Sequence, residues 1–147
     1  MLAPAGAATE LDDRDRGPNL QDGAELWTLV ANRPVVSGYD RFLWIDPARR
    51  CHRVELVPCP RGSFLVTERL IDFPHALTAR ELQVLHLITL GASNAEIAAQ
   101  LVVSHRTVAT HVEHVLEKLR GRTRAALAAT AVRDGLLLAQ PSRARIR

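Results

Sequence analysis

Between Ser104 and Leu119 the chain reads SHRTVATHVEHVLEKL, a stretch whose polar groups are regularly spaced. Arg106, Thr110, Glu113 and Glu117 recur at spacings of four, three and four. Val108, Val112, Val115 and Leu119 keep the same rhythm out of phase with them. Interleaved stripes of this kind give one helix an apolar face and a face of donors and acceptors. A guanidinium, a hydroxyl and carboxylates can exchange hydrogen bonds with the edges of nucleic-acid bases. The first half of such a face is where a groove-reading helix meets them. The plain alternative is a solvated amphipathic helix in a bundle.

Other chemistries fit less well. His111-Val112-Glu113-His114 invites a metal reading, but helical zinc motifs favour ligands at i and i+4 with a third elsewhere. These histidines are three apart, and no metal site is expected. No Ser/His/Asp grouping, glycine-rich phosphate loop or nucleotide fingerprint appears, so neither an enzyme nor a cofactor is expected. Two cysteines, Cys51 and Cys59, make a poor disulfide framework and read as reduced thiols, with a hairpin-crossing disulfide as the alternative.

Residues 77–138 contain the elements that must position the 104–119 stretch, and their start and stop signals are dense. Thr78-Ala79-Arg80-Glu81 and Ser93-Asn94-Ala95-Glu96 are capping boxes, in which the hydroxyl caps a free N–H and the glutamate reaches back. The first opens a helix with Leu82, Leu85, Ile88 and Thr89 on one face, closed by the left-handed exit of Gly91. The second opens a helix burying Ile97, Ala98 and Leu101, followed by a short turn at Val102-Val103. Ser104 caps the third helix and Gly121 ends it, while Thr123 caps a fourth that Gly135 closes. The short connection between the second and third helices is that of a helix-turn-helix.

This passage resembles the LuxR-type helix-turn-helix domain, the FixJ/NarL class of bacterial transcription regulators. The matching residues are Leu77, Thr78, Arg80, Glu81, Val84, Leu85 and Gly91, then Asn94, Glu96, Ile97, Ala98 and Leu101. They continue with Ser104, Thr107, Val108, His111, Lys118 and Leu119, then Arg124 and Ala126. The resemblance spans residues 77–138, under half of the chain. It implies a homodimeric regulator that reads double-stranded DNA with the third helix in the major groove. Dimerisation would run through the alanine-rich fourth helix, Arg124 to Val132, and two-fold symmetry would make the operator an inverted repeat. Alternatively those alanines simply pack on the first helix.

The DNA-binding residues expected on this basis lie mostly on the third helix. Arg106, Ala109, Thr110 and Glu113 would face bases, while Thr107, His111 and Lys118 position the backbone or pack. Ser104, His105 and His114 flank them, and Asn94 and Arg122 complete the set. Two residues depart from the family pattern. Relatives commonly carry lysine two positions after the matched Thr107, where this chain has Ala109, and Glu113 occupies another position often basic. A missing lysine removes a phosphate or guanine contact, and a glutamate in the groove needs a donor such as cytosine N4. These two residues motivate the alternative of an interaction module without DNA affinity, antagonising a related regulator by mixed dimerisation. RNA polymerase is a further candidate partner.

The remaining chain says less. Residues 1–22 read as a disordered lead-in and residues 23–71 as a small α+β unit. In that unit a helix over Ala24–Asn32 precedes a three-stranded antiparallel meander: Asp40–Ile45, His52–Val57 and Phe64–Leu70, with a turn at Asp46-Pro47-Ala48-Arg49. In His52–Val57, Val54 and Leu56 should face away from Arg53, Glu55 and Val57. So small a unit must lean on its helix or a second protomer, as a dimerisation element or the remnant of a sensor. A full receiver domain would not fit before residue 77, and its acidic pocket is not recognisable. Residues 72–76 read as a linker. Residues 139–147 read as a basic tail with Arg143, Arg145 and Arg147, which with Arg120, Arg122 and Arg124 suit phosphate clamping.

Composition agrees with this outline. Hydrophobic content is 47% but aromatic content only 4%, so the core must be aliphatic, which suits packed helices. A net charge of +3 permits nucleic acid as a partner without requiring it. No apolar run approaches the ~20 residues of a membrane span. The N-terminus lacks the pattern of a secretory signal, and a cytoplasmic location is expected. The fold class expected is mainly α: a C-terminal four-helix LuxR-type domain preceded by a small α+β unit.

Overall fold

The structure is a computed structural model and describes residues 2–4, 18–21, 23–31, 40–60 and 63–139. The chain divides into two compact units, one drawn from residues 1–44, 52–70 and 139–147, the other from 45–51 and 71–138.

The first unit is built on a sheet of order β1-β4-β3-β2, with β1 at Leu2–Pro4, β2 at Asp40–Ile45, β3 at Cys51–Cys59 and β4 at Ser63–Ile71. The connections from β2 to β4 are too short for parallel crossovers, so these strands form the expected antiparallel meander. Asp46 closes the first hairpin: its Oδ1 accepts from the Arg50 N–H at 2.8 Å, and its Oδ2 from Arg50 Nε at 2.7 Å. Arg49 takes the left-handed conformation there, with φ of 62°.

Two features correct the expectation of a disordered lead-in over 1–22. β1 pairs antiparallel with β4, setting Leu2 opposite Leu65 and Ala3 opposite Phe64. Pro18–Leu20 forms a 3-10 turn whose Leu20 is buried. The physical reason is that β4 would otherwise be an edge with unpaired backbone groups, which a short extended segment satisfies whatever its sequence. Most of the lead-in lies outside the described residues, as do Asn32 and Arg143, Arg145 and Arg147 of the expected basic tail.

α1 (Glu25–Ala31) contributes Leu26, Leu29 and Val30 to a core shared with Leu20, Phe42, Trp44, Val54, Leu56, Phe64 and Val66. The alternation expected for β3 holds, since Val54 and Leu56 are buried and Val57 is exposed. One polar group sits beside this core. His52 is buried, with Nδ1 2.5 Å from Glu68 Oε1, which also accepts from Asn19 Nδ2 at 3.3 Å. The Trp44 ring packs against His52 with centroids 5.1 Å apart. These partners satisfy a group that burial would otherwise penalise.

The second unit contains α2 (Ala79–Thr89), α3 (Asn94–Leu101), α4 (His105–Lys118) and α5 (Arg124–Asp134). All four expected N-caps are formed: Thr78 and Ser93 make complete capping boxes, and Ser104 and Thr123 accept from the N–H three residues on. Leu82, Leu85, Ile97, Val108, Val115, Leu127, Ala131 and Leu136 are buried, an aliphatic core as the composition requires. α2 is more enclosed than its single apolar stripe implied. Val84, His86 and Leu87 are buried as well. The segment expected as a linker holds a 3-10 turn, Pro74–Ala76, whose Pro74 carbonyl accepts from the Leu77 N–H.

α2, α4 and α5 end in the paired backbone bonds of a Schellman turn, for instance Ala92 N–H to Leu87 O at 3.1 Å and Leu136 N–H to Ala131 O at 2.8 Å, while at the end of α3 the Val102 and Val103 N–H groups both donate to the Ala98 carbonyl. Gly91 and Gly135 supply the left-handed residue with φ of 81° and 65°. After α4 the left-handed residue is Arg120, φ 51°, not Gly121. Gly121 has a different reason to be glycine: a Cβ there would lie 2.9 Å from Leu127 Cδ2. After α3 the left-handed residue is Val102, φ 53°. Cys51 and Cys59 are free thiols. No helix among the described residues is long and apolar enough to cross a membrane.

Candidate nucleic-acid interface

α3 and α4 are joined by Val102, Val103 and Ser104, and that turn sets the exposed face of α4. Ser104 Oγ accepts from the Thr107 N–H at 3.0 Å and lies 2.8 Å from the Thr107 hydroxyl, so both side chains pin the first turn of α4. Val108 and Val115 bury the inner stripe. His105, Arg106, Thr107, Thr110, Glu113, His114 and Glu117 are all exposed, while Ala109 and His111 are half-buried. The outer stripe read from the sequence is therefore one continuous solvent-facing surface. Thr110 is already engaged in part, its hydroxyl donating to the Arg106 carbonyl at 3.3 Å.

Two residues of the expected DNA-binding set make contacts within the scaffold. Lys118 Nζ donates to Glu81 Oε2 at 2.7 Å and to the Ala76 carbonyl at 2.9 Å. Asn94 Oδ1 accepts from Arg124 Nη1 at 3.1 Å, and Arg124 Nη2 also donates to the Ala92 carbonyl. Arg124 thus ties the start of α5 to the start of α3. Arg120 and Arg122 remain exposed at the turn after α4.

Glu81 is the residue whose role the sequence understated. Besides closing its capping box, it is buried and faces α4, with Oε1 3.5 Å from His114 Nδ1. Burial works to raise its carboxyl pKa. The Lys118 ammonium and the Thr78 N–H and hydroxyl outweigh that and hold it below the usual value. A signal was present: position 81 falls in register with Leu85 and Ile88 of the buried stripe. His86 is also buried, and that burial lowers its pKa.

Comparison with known proteins agrees with this geometry. Residues 75–131 match the family described as "Bacterial regulatory proteins, luxR family". A probable transcriptional regulatory protein NarL of Mycobacterium tuberculosis is 43% identical over 120 residues, covering 74% of this chain and 56% of that protein. A nitrate/nitrite response regulator protein homolog of Haemophilus influenzae is 47% identical over 107 residues, covering 69% of this chain and 51% of that protein. The chain thus spans about half the length of these curated relatives. A solved phage VqmA–DPO complex aligns with a TM-score of 0.44 and 19% identity, over 71% of this chain and 59% of that one. That likeness is too slight to assign the first unit. The capped helices, the short turn between α3 and α4 and the family match converge: residues 75–131 are a helix-turn-helix domain of the LuxR family of bacterial regulatory proteins.

Proposed function

We propose that this protein is a bacterial, cytoplasmic transcription regulator that binds double-stranded DNA with α4 in the major groove. The observation that carries this reading is the solvent-facing stripe Arg106, Thr110 and Glu113, presented by a helix whose scaffold is complete. Arg106 and Thr110 lie in its first half, where base edges are met. Ser104, Thr107 and Arg122 are exposed and would contact phosphates, which set register without reading sequence. Homodimerisation through α5 is part of the proposal. Ala125, Ala129 and Val132 are exposed along one side of that helix, and small side chains let two copies approach closely. The domain is that of a regulator and not of an enzyme.

Selection of bound sites from random double-stranded DNA, followed by gel-shift titration at low salt, tests this reading. Recovery of an inverted-repeat motif supports it. Absence of any shift at low salt would overturn it.

A second reading rests on Ala109 and the exposed Glu113, which put a methyl group and a carboxylate on the DNA-facing side of α4 where relatives commonly carry positive charge. In that reading the protein keeps the fold and antagonises a related regulator by mixed dimerisation through α5. RNA polymerase is a further partner that either reading accommodates.

A further inference from the structure

We propose that Glu81, His111 and His114 form a binding site for a first-row divalent transition metal, with zinc the best match to the donor set. His111 and His114 stand three apart on α4 and so share a face. α2 supplies the carboxylate that their spacing lacked. One ligand atom from each of the three residues lies within 4.8 Å of the others.

The state of the donor groups favours a metal. Glu81 Oε2 already accepts from the Thr78 N–H and from Lys118 Nζ, each at 2.7 Å. That leaves Oε1 turned to His114 Nδ1 at 3.5 Å. Outer partners on one carboxylate oxygen fix the orientation of the other, as they do around bound metals. His111 Nδ1 is buried and has no hydrogen-bond partner among the described residues. Zinc binds imidazole nitrogen and carboxylate oxygen at about 2.0–2.2 Å, which sets tetrahedral ligands about 3.3 Å apart. No pair of ligand atoms would therefore need to close by more than about 1.5 Å.

Two imidazoles and one carboxylate select a borderline transition metal over calcium or magnesium, which take oxygen ligands. Three protein ligands leave a fourth position for water or an added ligand. The Lys118 ammonium opposes a nearby dication and keeps the affinity moderate. A bound metal would also return positive charge to the helix turn that carries Glu113.

The untagged full chain, titrated with cobalt(II) at neutral pH and followed by visible absorption, tests the site. Expected are one equivalent bound, intense bands of low coordination number, and their displacement by zinc. His114→Ala should weaken binding at least about tenfold, and zinc should raise the thermal midpoint of the wild type but not of this variant. His105→Ala, exposed on the same helix and outside the cluster, should bind as wild type does. His111→Ala, if folded by circular dichroism, should behave as His114→Ala does. The proposal is overturned by a spectrum of hydrated cobalt only. It is equally overturned by full-strength binding in His114→Ala or by equal losses in His114→Ala and His105→Ala. None of these readouts involves DNA, so failure here leaves the regulator reading untouched.

Discussion

Lys118 Nζ lies 2.7 Å from Glu81 Oε2, so the last turn of α4 is fastened to the first turn of α2 by a charged hydrogen bond. The same carboxylate closes the capping box of α2. One buried glutamate therefore starts one helix and anchors the end of another, and the exposed stripe of α4 is aimed by that anchor. Its partner Lys118 is engaged with the scaffold through both Glu81 and the Ala76 carbonyl.

Lys118→Met should accordingly lower stability by about 1.5–3 kcal/mol, because it leaves a buried carboxylate without its cation. Urea denaturation measures this. In DNA titrations over a range of salt, the slope of affinity against salt should stay as in the wild type. A slope reduced by about one would return Lys118 to the phosphate contacts.

Arg106 sits at the opposite end of α4, exposed in its first turn. Arg106→Ala should weaken binding to a selected site by about 1–3 kcal/mol and relax preference at one base position. Undiminished specific binding at fixed salt would remove Arg106 from the base-reading set.

Two of the helix-end glycines, Gly91 and Gly121, should fail differently. Gly91→Ala introduces strain at a φ of 81° into open space, at a cost of about 1 kcal/mol that no neighbour can relieve. Gly121→Ala instead presses on Leu127 and should cost about 1–3 kcal/mol. In a Leu127→Ala background that second cost should largely vanish, and the first should not change. Equal coupling of both substitutions to Leu127 would contradict the distinction.

Val102 is β-branched, left-handed and 90% exposed, so its side chain returns little packing for the strain. Val102→Gly should raise stability by about 0.5–1 kcal/mol, read as a higher denaturation midpoint. A loss of stability would mean that the side chain does pack on something in solution.

Burial lowers the His86 pKa in the folded state below the ordinary 6.5. As pH falls, the unfolded chain takes up this proton first. The stabilising contribution of neutral His86 is therefore full above about 6.5 and is lost as pH falls toward the folded value. Denaturation midpoints between about pH 7.5 and 5 should fall less steeply for His86→Gln than for the wild type. Superimposable profiles would exclude His86 as a source of acid sensitivity.

The sequence by itself determined the helices of the 77–138 segment and the family they compose. Capping boxes, apolar spacing and C-terminal glycines are local devices, each satisfied within about one helical turn. Thr78, Ser93, Ser104 and Thr123 could therefore be assigned from their immediate neighbours. The outer stripe of α4 was legible for the same reason, since Val108 and Val115 fix which side turns inward. What distant residues do to one another was decided only by the tertiary structure. The contacts of Lys118 and Asn94 could not be read locally because their partners, Glu81 and Arg124, are remote in sequence. Gly121 looked like a turn residue because the Leu127 side chain it must clear arrives with the next helix. β1 carried no strand signal of its own, since its pairing depends on the unpaired edge of β4. The carboxylate that joins His111 and His114 comes from another helix, and packing alone brings it there. Periodicity and caps report what a segment does with its own backbone; a charge or a cavity is resolved only by what the rest of the chain brings against it.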